Sequence, residues 1–251
     1  MTTTAPEAPG VLIENLAKAY TGGPTVLEGI TTSIARGEFV CILGASGCGK
    51  STLLNVLAQL EPPTSGAIEV PDDGAAFMFQ EASLLPWLTA RGNVELALRL
   101  RGVPVRERRQ AATELLHLVH LGAAGGKRPH QLSGGMRQRT ALARALAQDR
   151  ELLLMDEPFG ALDAITRDLL HDELERVWKA TGRTIVFVTH NVREAVRLGQ
   201  RVLLLSSRPG RIVEQWQVTD SIRNDAAAAA AAAALTRDIT DRLRQEISHH
   251  A

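Results

Sequence analysis

The 251-residue chain has no excess of charge of either sign, because 28 basic side chains are matched by 28 acidic ones. A protein whose main partner is nucleic acid needs a basic face to displace counterions, so this balance argues against that class. Long apolar runs are missing too. Hydrophobic residues make up 45% of the chain, yet no stretch approaches the roughly 20 residues needed to cross a bilayer. Any work at a membrane must therefore go through a partner. The first ten residues, Met1 to Gly10, are rich in Thr, Pro and Ala and have neither a basic leader nor an apolar core. That is not the pattern of a secretory signal, and residues 1–10 read as a disordered tail. Cysteine is scarce. The two present, Cys41 and Cys48, sit beside a glycine-rich loop and suggest no disulfide framework, so a reducing cytosol is the natural compartment.

What the chain does have is an alternation of strand-like and helix-like segments. Val11–Leu16, Val26–Ile34 and Ala67–Val70 are short apolar runs punctuated by Gly22-Gly23-Pro24 and Arg36-Gly37, the pattern of a small antiparallel sheet. Phe39–Leu43 is a continuous apolar run ending in glycine, as are Leu152–Met155, Thr184–Thr189 and Val202–Leu205 in character. Such runs suit parallel strands covered on both faces. The helical segments Leu53–Gln59, Arg139–Ala147 and Thr166–Lys179 fall between them, which implies an α/β core. From about Leu84 to Leu132 the rhythm breaks: Gly92–Arg101 and Val105–Leu121 are helical and no strand is convincing, so a helical subdomain is expected over about residues 84–135. The main domain is then expected to run over residues 11–220, with a helical tail over 221–251. In that tail Asp225 precedes nine alanines, and Leu235, Ile239, Leu243 and Ile247 recur every four residues. This spacing describes a capped helix with one apolar stripe, suited to peripheral packing.

Two motifs carry chemistry. Gly44-Ala45-Ser46-Gly47-Cys48-Gly49-Lys50-Ser51, followed by Thr52, fits G-x-x-x-x-G-K-[ST] and stands between a strand-like and a helix-like segment. Its glycines let backbone N–H groups converge on phosphate oxygens, and the following helix adds its positive end. Lys50 would neutralise β- and γ-phosphate charge, and Ser51 would hold Mg²⁺ through its hydroxyl. Cys48 reads as a small tolerated residue whose alkylation bound nucleotide would slow. The second motif is an apolar strand ending in Asp156-Glu157. Asp156 is placed to hold Mg²⁺, generally through water. Glu157 is placed to polarise an attacking water.

Kinases, GTPases, helicases and transporters all share these two features. Leu132-Ser133-Gly134-Gly135-Met136-Arg137-Gln138-Arg139 chooses among them. A serine and two glycines at the mouth of a helix make a second phosphate cradle. Here the sequence resembles the ABC ATPase family, whose signature is Leu-Ser-Gly-Gly-Gln; methionine stands where glutamine is commoner. The resemblance extends in order along residues 11–210. It implies that Tyr20 stacks on adenine and that Gln80 contacts Mg²⁺ and water and senses a transmembrane subunit. It also implies that Ala161-Leu162-Asp163 crosses a dimer interface and that His190 contacts the γ-phosphate. A lone Tyr, Gln or His is structural more often than not, but this many marks in order leave little room for coincidence. The implied fold is a P-loop core with an N-terminal antiparallel β subdomain and an inserted helical subdomain. The implied mechanism sandwiches two ATP between two copies, or between this chain and a homologous subunit. Each ATP then meets one copy's phosphate loop and the other's Ser133, Gly134 and Gly135.

The segments Gln80–Thr89, Pro158–Asp163 and the run ending at Ile212 look like the nitrate, sulfonate and taurine group of bacterial importers. That resemblance implies a peripheral subunit on the cytoplasmic face of the cell membrane. It would work with permease subunits and, indirectly, an extracytoplasmic substrate-binding protein, and would not act on nucleic acid. The chain is also expected to lack the extra C-terminal regulatory domain of sugar or methionine importers. ABC proteins of DNA repair or the ribosome usually carry paired ATPase domains, a long coiled coil or a basic surface, and none is visible. Trp87, near Gln80, reads equally as a permease contact or as core. The phosphate-loop assignment has a direct check. Lys50→Ala should weaken ATP binding by at least about tenfold, because a charge-assisted contact is lost; unchanged affinity in a titration would overturn it.

Overall fold

The computed structural model describes residues 10–160, 162–219 and 229–248, which form two sheets and two apolar cores, one on each face of the larger sheet. Strands β1 (Val11–Ala19), β2 (Thr25–Ile34) and β4 (Ser65–Glu69) form an antiparallel sheet in the order β2-β1-β4. The larger sheet has six strands in the order β5-β6-β7-β3-β8-β9. Its members are β3 (Phe39–Gly44), β5 (Ala75–Met78), β6 (Leu152–Asp156), β7 (Thr184–Val188), β8 (Arg201–Leu205) and β9 (Ile212–Gln217). All its pairings are parallel except β8 with β9.

The apolar runs follow from this arrangement. Successive strand side chains point to opposite faces, and here both faces are covered. Phe39, Cys41 and Leu43 join Leu153, Met155, Ile185, Phe187, Val202 and Leu204 in one cluster. Helices α4 (Gly134–Ala147), α5 (Ala164–Thr181) and α6 (Val192–Leu198) close that face. Val40, Ile42, Leu152, Leu154, Val186, Val188, Leu203 and Leu205 point the other way, against α1 (Lys50–Leu57) and the antiparallel sheet. Strands buried on both faces are therefore almost wholly apolar, with polar residues such as Thr184 and Asp156 confined to their ends, and each buried Leu, Ile or Phe adds about 1.5–3 kcal/mol. On the first face Phe39 meets Trp178 edge-on at 5.6 Å, and the Trp178 indole N–H donates to Gly37 O at 2.8 Å.

Helices α2 (Ala90–Leu100) and α3 (Val105–Leu118) pack on α4. Thr89 caps α2 by accepting from Gly92 N at 3.0 Å. Asn93, fully buried, accepts from Leu85 N at 2.8 Å and donates to Thr89 O at 3.0 Å, which fixes the chain leading into α2. The last helix, α7 (Ala229–Ser248), lies against α6. Ile239 is fully buried, and Leu235 and Leu243 are partly so, whereas Ile247 is exposed, so the stripe covers the core over three of its four positions. The Trp216 indole N–H donates to Asp238 at 2.8 Å and Arg242 pairs with Glu214 at 2.8 Å, tying α7 to β9. The expected cap Asp225 and the tail 1–9 lie outside the described residues. Among the described residues no helix is long and apolar enough to cross a membrane.

Strands β5 and β9 and helix α6 go beyond the sequence reading. Gly66, in β4, has φ +85°, and a side chain there would come within 2.4 Å of Asn15 O. Gly66→Ala should therefore destabilise the fold by at least about 2 kcal/mol through backbone strain and clash, measured as a lowered urea midpoint; an unchanged midpoint would contradict this packing.

Candidate active site

The parallel register decides what meets what. Gly44 at the end of β3 pairs with Leu205 of β8, Ile42 pairs with Val188 of β7, and Asp156 of β6 also pairs with Val188. The C-terminal ends of four strands thus converge, and ligands of open α/β sheets bind beyond such ends. From β3 the chain turns through the glycine-rich loop directly into α1. Gly49 caps α1 with φ 102°, and a Cβ there would sit 2.7 Å from the Leu27 side chain, so only glycine fits. The first backbone N–H groups of α1 are left facing the loop's interior.

A cavity of about 490 Å³ opens over this loop. Of the residues singled out from the sequence, Tyr20, Ser46, Gly47, Gly49, Lys50, Ser51, Thr52, Gln80 and Glu157 line it. Gly23, Pro24 and Val26 add an apolar wall beside Tyr20. The half-exposed Tyr20 ring carries Lys18 Nζ at 5.1 Å from its centroid, and Lys18 pairs with Glu61 at 3.3 Å. Hydrogen bonding to Tyr20, then to Asn55 and Lys18, holds the Glu61 carboxyl below the usual carboxylate range. Lys50, only 6% exposed, donates to Gly44 O and Ala45 O, each at 2.9 Å, and lies 4.0 Å from Glu157. Its ammonium is thus held across the loop.

Asp156 is 8% exposed, and burial pushes its carboxyl up, opposed by a hydrogen bond from Ser51. A carboxylate so placed is stabilised by a nearby cation. Glu157 follows with φ 43°, a left-handed backbone that swings its side chain out of line with the strand. Its carboxylate meets His190 Nδ1 at 2.9 Å. A buried network supports His190 from behind. The Thr189 hydroxyl donates to Glu194, Glu194 Oε1 lies 2.6 Å from His171 Nε2, and Asn191 N donates to Thr189 Oγ1 at 3.0 Å. His171 belongs to α5, so the helix that Asp163 caps is braced against the segment that presents His190.

The signature residues sit elsewhere. Ser133 is exposed and caps α4, accepting from Met136 N at 3.2 Å. The unusual Met136 thus contributes its backbone rather than its side chain to the cap. Asp163 caps α5 through Thr166 N at 2.9 Å, and this hydrogen bond lowers its carboxyl pKa. Gly135 packs beside Leu162. None of Ser133, Gly134, Gly135 and Asp163 lines the cavity, and Ala161 lies outside the described residues.

Three residues were read incompletely from the sequence. Trp87 is 66% exposed, which removes the core-packing alternative. Arg208 lines the cavity, brought there by the β8–β9 turn that lies against the phosphate loop. Cys48 is 1% exposed, with its sulfur 2.6 Å from where a Gly44 side chain would begin. The thiol points into the fold, so shielding by nucleotide adds little to its protection.

Several known proteins are similar to this chain. Residues 27–160 match the family described as ABC transporter. The taurine import ATP-binding protein TauB of Mesorhizobium japonicum is 45% identical over 217 residues, covering 83% of this chain and 84% of that one. The bicarbonate transport ATP-binding protein CmpC of Synechococcus elongatus is 47% identical over 213 residues, 80% of this chain and 32% of that one. A dimeric ATP-binding cassette solved in a post-hydrolysis state bound to ADP and Pi superimposes with a TM-score of 0.75 at 34% identity, covering 83% of this chain and 99% of that one. The chain therefore belongs to the ABC transporter family, has its ATPase fold, and is an ATPase.

Burial raises the Cys48 thiol pKa, outweighing the Lys50 ammonium and backbone hydrogen bonds that lower it. Less thiolate is then present at a given pH, and Cys41 is buried as well. Maleimide labelling of the folded protein near pH 8 should be slower than that of the unfolded chain by on the order of 100-fold. Rapid labelling of one thiol in the nucleotide-free protein would contradict the burial.

Proposed function

We propose that this chain is the ATP-hydrolysing subunit of an importer for a small anion of the sulfonate, taurine or nitrate type. It would work on the cytoplasmic face of the membrane with permease subunits and an extracytoplasmic binding protein. The observation that carries the reading is a divided site. The cavity gathers the phosphate loop, Lys50, Gln80 and Glu157, while Ser133 and Gly134 are exposed, and Gly135 half-buried, outside it. Two copies, or this chain and a homologous subunit, complete each other head to tail. The names of the relatives, taurine import and bicarbonate transport, support a small cargo bearing an anionic group without choosing one.

In this reading Tyr20 stacks on adenine, and Gly44 through Thr52 cradle the phosphates. Lys50 carries its ammonium to the β- and γ-phosphates. Among the described residues no group of three or more His, Cys, Asp or Glu could hold a metal. A single carboxylate beside a hydroxyl, with nucleotide phosphates supplying further oxygens, is how Mg²⁺ is bound. Ser51 and Asp156 fit that arrangement, with Gln80 on the cavity wall. Mg²⁺ there would offset phosphate charge. Glu157 orients and polarises the attacking water, and His190 holds Glu157 through Nδ1; its Nε2 donates to the γ-phosphate only in the imidazolium form, in which both ring nitrogens carry protons. Ser133, Gly134, Gly135 and Asp163 act on the nucleotide of the other copy.

Gln80 also joins the chemistry to the membrane partner. Gln138 of α4 donates to Gln80 O at 2.6 Å, and Arg144 donates to Ser83 O at 2.6 Å and Ala82 O at 2.9 Å. Exposed Trp87 lies a few residues on. The sandwich has a clean test. Glu157→Gln should keep ATP affinity, lose hydrolysis by at least about 100-fold, and run as a dimer with ATP in size-exclusion chromatography. A protein that stays monomeric at saturating ATP would overturn the divided site.

A further inference from the structure

The geometry points to Arg208 as a further nucleotide-binding residue, one that contacts the phosphates beyond the α position and raises affinity for nucleotides that carry them. This rests on the nucleotide site proposed above and adds a residue to it.

Arg208 stands at the tip of the turn joining β8 to β9, and that turn is held against the phosphate loop from several sides. Ser206 Oγ donates to Pro209 O at 2.8 Å and accepts from Arg211 N at 2.9 Å, closing the turn on itself. Gly210 N donates to Val26 O at 2.8 Å, and Glu28 N donates to Gly210 O at 3.0 Å, which stitches the turn to β2. A side chain at Gly210 would fall 2.3 Å from Cys48 O, so the turn's backbone rests directly on the loop's backbone. The position of Arg208 is therefore fixed relative to the loop before its side chain is considered.

The guanidinium is then oriented by one bond. Nε donates to Gly47 O at 2.9 Å, and Nη2 lies 3.2 Å from where a Gly47 side chain would begin. This places the planar group on the loop at the cavity wall. A guanidinium has five N–H donors, and among the described residues the Nη groups have no carboxylate partner. The contrast within the same turn is direct, because Arg211 pairs with Glu28 at 2.7 Å. On the other side of the loop Lys50 already donates to two carbonyls. A triphosphate brings several negative charges to a cavity where Lys50 is otherwise the cationic wall. An arginine anchored through Nε, with its fork directed at oxygens, is the geometry in which planar recognition of phosphate works best.

A bystander role is also conceivable chemically: Arg208 could act only by shaping the loop through Gly47 O. The two roles separate by phosphate count. Removal of a phosphate contact weakens ATP and ADP but spares AMP, whereas a distorted loop weakens all three alike. Full-length Arg208→Gln, Arg208→Lys and Lys50→Ala proteins would be titrated by calorimetry with ATP, ADP and AMP, at protein concentrations where each is monomeric. Thermal melts without nucleotide would check that each variant is folded. Arg208→Gln is expected to weaken ATP and ADP about tenfold, and AMP less than about twofold. Arg208→Lys, which keeps the charge without the fork, is expected to fall between wild type and Gln. Unchanged ATP affinity in Arg208→Gln, or an equal loss for AMP and ATP, would overturn the inference while a loss in Lys50→Ala left the nucleotide site standing. Unchanged affinity in Lys50→Ala as well would overturn both.

Discussion

Everything at the site depends on the burial of β3 between two parallel neighbours. A strand covered on both faces and paired on both edges has no freedom to slip, since a shift of one residue would turn its whole apolar set to the wrong side. Val40 and Ile42 face one core while Phe39, Cys41 and Leu43 face the other. The register with β7 and β8 is thereby fixed, and with it the edge where Gly44, Thr189 and Ser206 leave the sheet. Three loops that are far apart in sequence become neighbours because one strand is immobile. The glycines set the loop's shape, but the strand sets where the loop is.

The charges at this edge are arranged around that immobility. Lys50 is held by carbonyl oxygens rather than by a tight ion pair, with Glu157 no nearer than 4.0 Å. Asp156 is desolvated, and its ionised form is disfavoured there. Both groups are costly to leave in this state and are relieved by a ligand that brings anionic oxygens and a cation together. Glu157 and His190 occupy the wetter rim, where protons and water can reach them.

The parts of this design that were legible in the sequence are those where burial leaves a simple linear trace. Phe39–Leu43, Leu152–Met155, Thr184–Thr189 and Val202–Leu205 read as strands because no polar residue interrupts them. Strand β5 left little trace: it is four residues long, two of them alanine, behind an Asp72-Asp73-Gly74 turn. Strand β9 is the antiparallel edge, with alternating exposure and charged or amide side chains, and its partner in α7 is distant in sequence. Helix α6 spans seven residues, too short for a periodic pattern to declare itself. Within the site, the phosphate loop and the two acids were visible as motifs because their chemistry needs contiguous residues. Arg208 was not, because nothing in linear spacing relates it to Gly47. Trp87 stood among Leu85, Pro86 and Leu88, where an apolar neighbourhood describes a core and a contact surface equally well.

One connection has a mechanical consequence. Helix α4 starts at the signature serine and spans 14 residues, a rod of about 21 Å at the usual rise per residue. Along one side it grips the Gln80 segment at three carbonyls, through Gln138 and Arg144. A hydrogen-bonded helix is stiff along its axis, so a displacement of its first turn would be carried to those carbonyls. The segment is held there by its backbone. Gln80, on the cavity wall, is thereby tied through its own carbonyl to the helix that Ser133 caps, as a latch is fastened to its bolt.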